Sequence, residues 1–283
     1  MNYRLAYRKE TYVNWCEALG TVLANDEVKD GVSERGGHPV VQRPMLQWSL
    51  RITAYAERLL DDLQELAWSE AMKKMQSNWI GRSEGAQLFF DIEGSDDKME
   101  IYTTRADTIF GATFMVLAPE HPLVAEITTA DQADAVAAFV EQAGQASETD
   151  RMTVEGSLEK RGVFTGAYLM NPFTRKPVPL YLADYVLMGY GTGAIMAVPG
   201  QDQRDWDFAR SHDLPIIRTV APPDDWEGEA WVEDGPAINS EWLDGLEVAE
   251  AKEKATQWLV DQGIGERKVN YRLRDWGVSR QRY

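Results

Sequence analysis

The chain contains many short apolar segments, and turns rich in Gly, Pro, Asn and Asp separate them. Segments of this length are typical of β-strands when turn residues bound them on both sides. Only a few stretches between them have helical periodicity. We therefore predict a mainly β fold with α, in which a closed or nearly closed, β-barrel-like sheet carries peripheral helices. The predicted strands cover residues 87–92, 99–103, 112–118, 163–169, 178–188, 194–198 and 216–220.

The clearest helical pattern lies in the first third of the chain. Apolar residues there recur at spacings of three and four, which predicts one helix over 45–76 that ends by Gly81; these residues are Ile52, Tyr55, Leu59, Leu63 and Leu66. Residues 1–45 carry many Gly and Pro residues and are predicted to form short strands and turns. Further helices are expected at 131–143, 202–212 and 248–262, and an acidic loop at 222–239.

The composition supports a folded core but argues against general binding of nucleic acid. Of the 283 residues 44% are hydrophobic, and the formal net charge is -17. Phosphate binding relies on Lys and Arg, so a chain this acidic is expected to meet only a small part of an RNA unless another domain holds the rest. No apolar run approaches the roughly 20 residues of a membrane-spanning helix, so no membrane partner is expected.

The cysteine and histidine content argues against a metal site. Cys16 is the single cysteine, so an internal disulfide is impossible, which suits a reducing compartment. A structural zinc site needs four ligands, whereas Cys16 and His38 supply two, and His121 and His212 lie far away in sequence. We expect a buried Cys16, no metal and no cofactor.

Two stretches combine apolar scaffold with a cluster of small polar groups, as binding sites do. Residues 98–108, K-M-E-I-Y-T-T-R-A-D-T, predict a strand that ends in a loop of hydroxyl groups, one Arg and one Asp. Residues 189–207, G-Y-G-T-G-A-I-M-A-V-P-G-Q-D-Q-R-D-W-D, predict a Gly-rich turn, a buried strand, a Pro-Gly turn and a helix that begins with Asp.

The two acids at the start of this helix allow alternative interpretations. Asp202 is either a binding residue or the N-cap of the helix that follows Pro199 and Gly200. Asp205 shares a helix face with Asp202, and it is either an anchor for a cation such as an α-amino group or a solvated surface acid.

The first stretch is equally open. Thr103, Thr104 and Thr108 are either pocket hydroxyls or ordinary strand and turn residues. Asp107 suits an Asx turn, and Arg105 suits either a salt bridge or a phosphate contact. His121 and His212 have no obvious nucleophile partner, so the sequence shows no nucleophile beside a base. The residues alone thus indicate a polar pocket without an evident catalytic side chain.

Several motifs of the chain resemble one enzyme family. Residues 103–108, T-T-R-A-D-T, resemble the threonine-rich editing motif of the class I aminoacyl-tRNA synthetases for leucine, isoleucine and valine, and residues 189–205 are similar to their second editing motif in its leucine-type form. Residues 13–28, 33–40, 78–85 (N-W-I-G-R-S-E-G) and 271–283 (Y-R-L-R-D-W-G-V-S-R-Q-R-Y) also resemble bacterial leucyl-tRNA synthetase. The resemblance covers essentially the whole chain.

This resemblance implies a division of the chain. Residues 1–80 are expected to be a smaller α/β connecting segment of the synthetase core, 81–268 the editing domain, and 269–283 the return strand to the catalytic core. The abrupt end of the last segment also favours a piece of a longer protein, the alternative being a tail that docks on its own domain. The two ATP-site signatures of the family, His-x-Gly-His and Lys-Met-Ser-Lys-Ser, are absent from the sequence.

The implied activity is post-transfer editing, the hydrolysis of the aminoacyl ester of mischarged tRNA(Leu). The expected partners are the 3′ end of that tRNA and the remaining domains of the same synthetase, with a monomeric chain in the cytoplasm. An alternative from another class is a non-catalytic module that binds the aminoacylated 3′ end. A site specific for isoleucyl- or valyl-tRNA is a third possibility, which the leucine-type flanks disfavour.

The resemblance also assigns roles to residues. Thr103, Thr104 and Asp205 are the expected catalytic residues, with the threonines contacting the ester or positioning water and Asp205 anchoring the substrate α-amino group. Thr108 is the expected discriminator against leucine, and Arg105 is expected to face the terminal nucleotide. The remaining expected substrate-binding residues are Asp107, Tyr190, Met196, Val198 and Asp202.

Two positions depart from the family pattern. Ala106 stands where the family usually has Pro, and Gln201 stands where many members have His. The first change predicts a less rigid loop, and the second argues against an imidazole at that point. The implied mechanism is positioning of water with substrate assistance, without an enzyme nucleophile or metal.

Overall fold

The structure, a computed structural model, describes residues 3–29, 31–145, 161–186, 188 and 192–278. These residues form two compact units. The first contains residues 3–83 and 269–278, and the second contains residues 84–144 and 161–268.

The first unit is built on an antiparallel sheet of four strands, β1 (Ala6–Cys16), β2 (Thr21–Leu23), β5 (Val41–Leu50) and β13 (Trp276–Gly277). Their order in the sheet is β13-β5-β1-β2. Its two long strands, β1 and β5, pair from Ala6 with Leu50 to Trp15 with Val41. Cys16 at the end of β1 is fully buried, as predicted. A separate two-stranded ladder consists of β3 (Val28–Lys29) and β4 (Val32–Ser33).

The prediction of one helix over 45–76 is wrong. Residues up to Leu50 belong to β5, because ten consecutive residues of that strand pair with β1. A 3-10 turn (Ile52–Tyr55) then leads into α1 (Ala56–Glu65), and α2 (Glu70–Ile80) follows after a break. The break arises because Leu66 is extended and the Ser69 hydroxyl accepts the N–H of Met72 at 3.3 Å, which caps a new helix. Gly81 ends α2 in the left-handed conformation with φ 60°, as its position predicts.

The second unit contains a seven-stranded sheet, whose strands are β6 (Arg82–Ile92), β7 (Lys98–Thr103), β8 (Phe114–Leu117), β9 (Gly162–Met170), β10 (Pro177–Ala183), β11 (Ala194–Ala197) and β12 (Gly265–Tyr271). The strand order is β11-β8-β10-β9-β6-β12, and β7 also pairs with β6. β6 and β7, which contain the predicted strands 87–92 and 99–103, form an antiparallel hairpin, and β8 and β10 are parallel neighbours.

The helices of this unit agree with the predicted ones within a few residues. They are α3 (Val124–Ile127), which was not predicted, α4 (Ala133–Gln145), α5 (Gln203–Ser211) and α6 (Val248–Asp261). Short 3-10 turns lie at Ala106–Gly111, between β7 and β8, and at Glu241–Leu243, before α6. In the described part of the chain, no helix is both long and apolar enough to cross a membrane.

Two predicted strand boundaries are wrong. β10 ends at Ala183 rather than at 188, because its partner β9 begins at Gly162, opposite Ala183. Residues 216–220 form no strand and contribute one isolated bridge between Val220 and Ala237. The carbonyl of Thr219 accepts the N–H of Ile238, so this segment bonds to a loop rather than to a sheet edge.

The predicted combination of a dominant sheet with peripheral helices is confirmed. Among the described residues the sheet does not close into a hydrogen-bonded barrel, although the edge strand β11 lies beside β7. Its main core is a continuous apolar cluster that α6 covers through Ala251, Ala255 and Leu259. Full burial of a side chain the size of Leu259 supplies roughly 1.5–3 kcal/mol.

Candidate functional site

The first half of the candidate site is the turn that follows β7. Thr103 ends the strand, and its Oγ1 accepts the N–H of Arg105 at 3.0 Å. Thr108 has no exposed surface, and its hydroxyl donates to the carbonyl of Arg105 at 2.8 Å. Thr104 between them is exposed to solvent. The hydroxyls of Thr103 and Thr108 thus stabilise the local backbone, as the turn interpretation of these threonines expects.

Asp107 orients Arg105. The Arg105 guanidinium donates to both carboxylate oxygens, with Nε 3.0 Å from Oδ1 and Nη2 2.8 Å from Oδ2. Asp107 is 3% exposed, whereas a quarter of the Arg105 side chain is exposed. The carboxylate of Asp107 therefore makes a bidentate ion pair rather than an Asx turn, and this pair holds a partly exposed guanidinium in one orientation.

The second half of the site is centred on Asp205 in the first turn of α5. Asp205 is 4% exposed, so the interpretation as a solvated surface acid is wrong. Its Oδ2 accepts the backbone N–H of Val198 at 2.8 Å, and its Oδ1 accepts the hydroxyl of Tyr185 at 3.2 Å. Within the described residues no Lys, Arg or His side chain forms an ion pair with it.

This environment disfavours the charged form of Asp205. Burial, and then the negative charge of Asp202, raise the pKa of Asp205 to about 7. The hydrogen bond from Val198, the charge of Arg204 and the hydrogen bond from Tyr185 act in the opposite direction. The carboxyl group therefore changes charge near neutral pH, in the range where a small change in its surroundings decides its state.

Asp202 has a different function in the fold. Its Oδ1 accepts the backbone N–H groups of Arg204 and Asp205, which confirms the N-cap interpretation. Burial alone would raise the pKa of Asp202, but the hydrogen bond and charge of the Arg204 side chain, together with the backbone hydrogen bonds from Asp205 and Arg204, lower the pKa overall. Its Oδ2 also accepts from Arg204 Nη2 at 3.0 Å. Asp202 is thus an ionised helix cap, whereas the neighbouring Asp205 has a pKa of about 7.

The structure brings the two halves together through the sheet. Met196 and Val198 are buried in the same apolar cluster as Ile101, Ala106 and Ile109. Met196 belongs to β11, which lies beside β7, and Val198 directly follows that strand. Tyr190, with Gly189 and Gly191, lies outside the described residues.

The turn between β11 and α5 is closely packed. A Cβ on Gly200 would lie 2.5 Å from the carbonyl oxygen of Ile217, so only glycine fits there. Gln201 is buried, and its Oε1 accepts the hydroxyl of Thr219 at 2.8 Å. Its Nε2 has no hydrogen-bond partner among the described residues. These contacts fix the backbone that presents the N–H of Val198 to Asp205.

Sequence reasoning missed two residues that hold the site. Tyr185, just after β10, contacts Asp205, and no local pattern indicated this contact. Asn171 is fully buried, and its Nδ2 donates to the carbonyl of Ile109 at 2.8 Å, one residue beyond Thr108. Its Oδ1 accepts from the N–H of Phe173 at 2.9 Å, which is an Asx turn that the N-P-F-T segment signals.

Neither His121 nor His212 is placed to activate a nucleophile, because the Ser211 hydroxyl beside His212 donates to the carbonyl of Phe208 at 2.9 Å. His121 is half-buried, and burial lowers its pKa while a backbone contact at Thr192 opposes the change. His212 stacks on Phe208 at 4.0 Å, and its Nδ1 lies near Ser211 Oγ and the carbonyl of Phe208, at the end of α5. No group of three or more His, Cys, Asp or Glu side chains arranged for a metal occurs in the described ranges.

A cavity of about 230 Å³ lies elsewhere, between the 93–97 turn, the end of α3 and β9. None of the predicted site residues lines it. Its carboxylates, Glu93, Asp97 and Glu126, are exposed. We therefore take the candidate site to be the Thr108 and Asp205 region.

Comparison with known proteins identifies the family. Residues 77–260 match the family model described as "Leucyl-tRNA synthetase, editing domain". The match places the chain among the editing domains of aminoacyl-tRNA synthetases. Within that class, the chain belongs to the leucyl-tRNA synthetase editing-domain family.

A solved structure gives the same result at the level of the fold. The chain is similar to the synthetase in the crystal structure of the ternary complex of Agrobacterium radiobacter K84 agnB2 LeuRS, tRNA and LeuAMS, with 36% sequence identity and a TM-score of 0.72. The likeness covers 98% of this chain and 31% of that chain. The present chain thus spans about a third of the length of that relative.

Proposed function

We propose that this chain hydrolyses the ester bond of tRNA(Leu) charged with the wrong amino acid, the post-transfer editing reaction. Membership of the editing-domain family supports this reaction class. The observation that carries the proposal is the buried carboxyl group of Asp205, which has two neutral hydrogen-bond donors and no cationic partner among the described residues. The α-amino group of an aminoacyl ester supplies that cation.

The need for such a site follows from the limits of binding. A hydrophobic pocket separates side chains that differ by one methyl group by only about 1–3 kcal/mol. A second pocket that excludes leucine and admits its competitors multiplies this selectivity. In this proposal, Thr108 is the residue whose bulk clashes with the leucine side chain, and Met196 and Val198 line the pocket.

The remaining residues position the reacting atoms. Thr103 and Thr104 contact the ester or orient the attacking water, and Arg105, held by Asp107, faces the terminal nucleotide. Asp202 supports the site by capping the helix that carries Asp205, and Tyr190 completes the substrate-binding set. Water adds to the ester carbonyl, the ester C–O bond breaks, and the ribose oxygen leaves with a proton, with substrate groups assisting. Holding water and ester together is the main source of acceleration in such a scheme.

The acidic composition agrees with a division of labour in a longer synthetase. With a net charge of -17, this chain is poorly suited to holding a tRNA body, so we propose that only the 3′ end enters it. The other domains of the synthetase, in the cytoplasm, would hold the rest. We propose the same boundaries as the motifs indicate: connecting segment 1–80, editing domain 81–268 and return strand 269–283.

The decisive experiment is deacylation of norvalyl- and isoleucyl-tRNA(Leu) by this chain at high protein concentration, with leucyl-tRNA(Leu) as the control. We expect release of the wrong amino acid while the leucyl ester survives. Equal loss of both esters would contradict the selective pocket. No loss, with the charged 3′ end still bound, would instead support the alternative of a non-catalytic binding module.

A further inference from the structure

We infer that Tyr185 is a positioning residue for editing, and that its phenol holds Asp205 in the orientation that receives the substrate α-amino group. This inference rests on the proposed function, because it assumes that Asp205 binds that group. It names a residue that neither editing motif contains, since Tyr185 lies before the Gly-rich turn of the second motif.

The two oxygens of Asp205 are held from two separate elements. Oδ1 accepts the hydroxyl of Tyr185, which follows β10, at 3.2 Å. Oδ2 accepts the N–H of Val198, which follows β11, at 2.8 Å. One bond alone would leave the carboxylate free to rotate, whereas two bonds on different oxygens fix both side-chain torsions. Each oxygen keeps a second lone-pair direction, which is available to an ammonium group.

The tyrosine ring is itself fixed by packing. It contacts Phe208, with ring centroids 6.0 Å apart, and Phe208 lies one helical turn beyond Asp205 on α5. Both rings belong to an apolar cluster that also contains Phe114 and Val186. The hydroxyl therefore has a defined position relative to the carboxylate, because the ring that carries it is held by the core.

The charged and titratable groups around Asp205 come from three elements. Asp202 and Arg204 lie on its own helix, Tyr185 lies after β10, and the backbone N–H of Val198 lies after β11. The hydrogen bond from Tyr185 opposes burial and lowers the pKa of Asp205. Burial, and then the charge of Asp205, raise the pKa of Tyr185 well above its usual value, so the phenol stays protonated and remains a donor.

The test uses the Tyr185→Phe variant, with Tyr181→Phe as the matched control. Tyr181 also packs against Phe208, at 5.4 Å, but its hydroxyl makes no hydrogen bond with Asp205. We measure kcat/KM for deacylation of norvalyl-tRNA(Leu) across pH. Y185F is expected to lower kcat/KM at neutral pH on the order of tenfold, as loss of a hydrogen bond to a charged group does. The pH at which kcat/KM reaches half of its maximum is expected to rise in Y185F. In Y181F this pH is expected to equal that of the unsubstituted chain.

A second measurement needs no tRNA. The carboxyl titration of Asp205 is followed by ¹³C NMR in the whole chain, with Asp205→Asn assigning the signal. Y185F is expected to raise the pH midpoint of the Asp205 titration, whereas Y181F is expected to leave that midpoint unchanged. If the unsubstituted chain fails to deacylate while the titration still moves in Y185F, the proposed function fails and the control of Asp205 by Tyr185 stands.

The inference itself is overturned if Y185F matches Y181F in both measurements. Should Y185F fail to fold, incorporation of 3-fluorotyrosine at position 185 replaces it. That change keeps the hydroxyl and makes it a stronger donor, so the Asp205 midpoint is expected to fall. An unchanged or higher midpoint there contradicts the inference.

Discussion

The side-chain amide of Asn171 donates to the carbonyl of Ile109 at 2.8 Å, although 62 residues separate them in sequence. A weaker contact at 3.4 Å joins the same amide to the carbonyl of Ala112. These bonds hold the last carbonyls of the 3-10 turn that carries Thr108. The position of the proposed discriminator is thus set by a side chain from the turn between β9 and β10.

Asn171→Ala is expected to weaken both stability and selectivity. Its loss removes a bond to the carbonyl of Ile109 and leaves the buried N–H of Phe173 without its side-chain acceptor, which costs about 1–3 kcal/mol in the free energy of unfolding. The loosened turn should let leucyl-tRNA(Leu) be hydrolysed at a measurable rate. Urea denaturation and deacylation assays give the two readouts. Thr174→Ala in the same turn is the control, and equal effects of both variants would refute a specific role for Asn171.

Thr108→Ala is expected to remove the protection of leucine. Deacylation of leucyl-tRNA(Leu) should rise towards the rate for the norvalyl ester, because the side chain proposed to clash with leucine is shortened. The lost hydrogen bond to Arg105 should cost only about 1 kcal/mol of stability. Thr128→Ala is the matched control, since its hydroxyl also donates to a backbone carbonyl, that of Val124, outside the site. Continued protection of leucine in T108A would reject the clash.

Asp205→Asn is expected to abolish deacylation while the fold remains. Asn has nearly the shape of Asp, and its single Oδ1 can accept the N–H of Val198 while its Nδ2 donates to the hydroxyl of Tyr185, but it has no charge for the α-amino group. Asp207→Asn, at an exposed position on the same helix, should leave the rate within about twofold, as surface substitutions usually do. Circular dichroism and deacylation rates compare the two. Full activity of D205N would show that the carboxylate is not the anchor.

The raised pKa of Asp205 predicts an unusual dependence of stability on pH. Between about pH 4 and pH 7 the folded chain holds a proton on Asp205 that the unfolded chain has released. The folded state therefore binds more protons, and the free energy of unfolding falls as pH rises through this window, by at most about 1.4 kcal/mol per pH unit. The lowered pKa of Asp202 acts in the opposite sense, below about pH 4.

Urea denaturation at pH 5 and pH 7.5 measures this contribution. The difference between the unsubstituted chain and D205N isolates it, because the other titrating groups are common to both. D205N is expected to gain relative stability at the higher pH. An identical pH dependence in the two proteins would mean that Asp205 stays ionised throughout.

Local sequence patterns were sufficient wherever a structure depends on near neighbours. The β6–β7 hairpin, α5 with its Asp202 cap, and the end of α2 at Gly81 follow from turn residues, spacing and capping chemistry. The prediction failed at residues 45–50, where apolar spacing suited a helix but a ten-residue ladder with β1 was decisive. It failed again at 216–220, where Thr219 bonds to Ile238 in a loop and Val220 forms only an isolated bridge.

The sequence by itself indicated the candidate polar residues of the two motifs, but it did not indicate Tyr185 or Asn171. Only the tertiary structure decided the burial, the hydrogen-bond partners and the charge of these side chains. Asp205 is buried because the sheet and its loops enclose the start of α5, and its partner Tyr185 lies 20 residues away. Asn171 reaches the Thr108 turn across 62 residues. Such contacts depend on how distant segments pack, and the charge of a carboxyl group follows from that packing rather than from its neighbours in the chain.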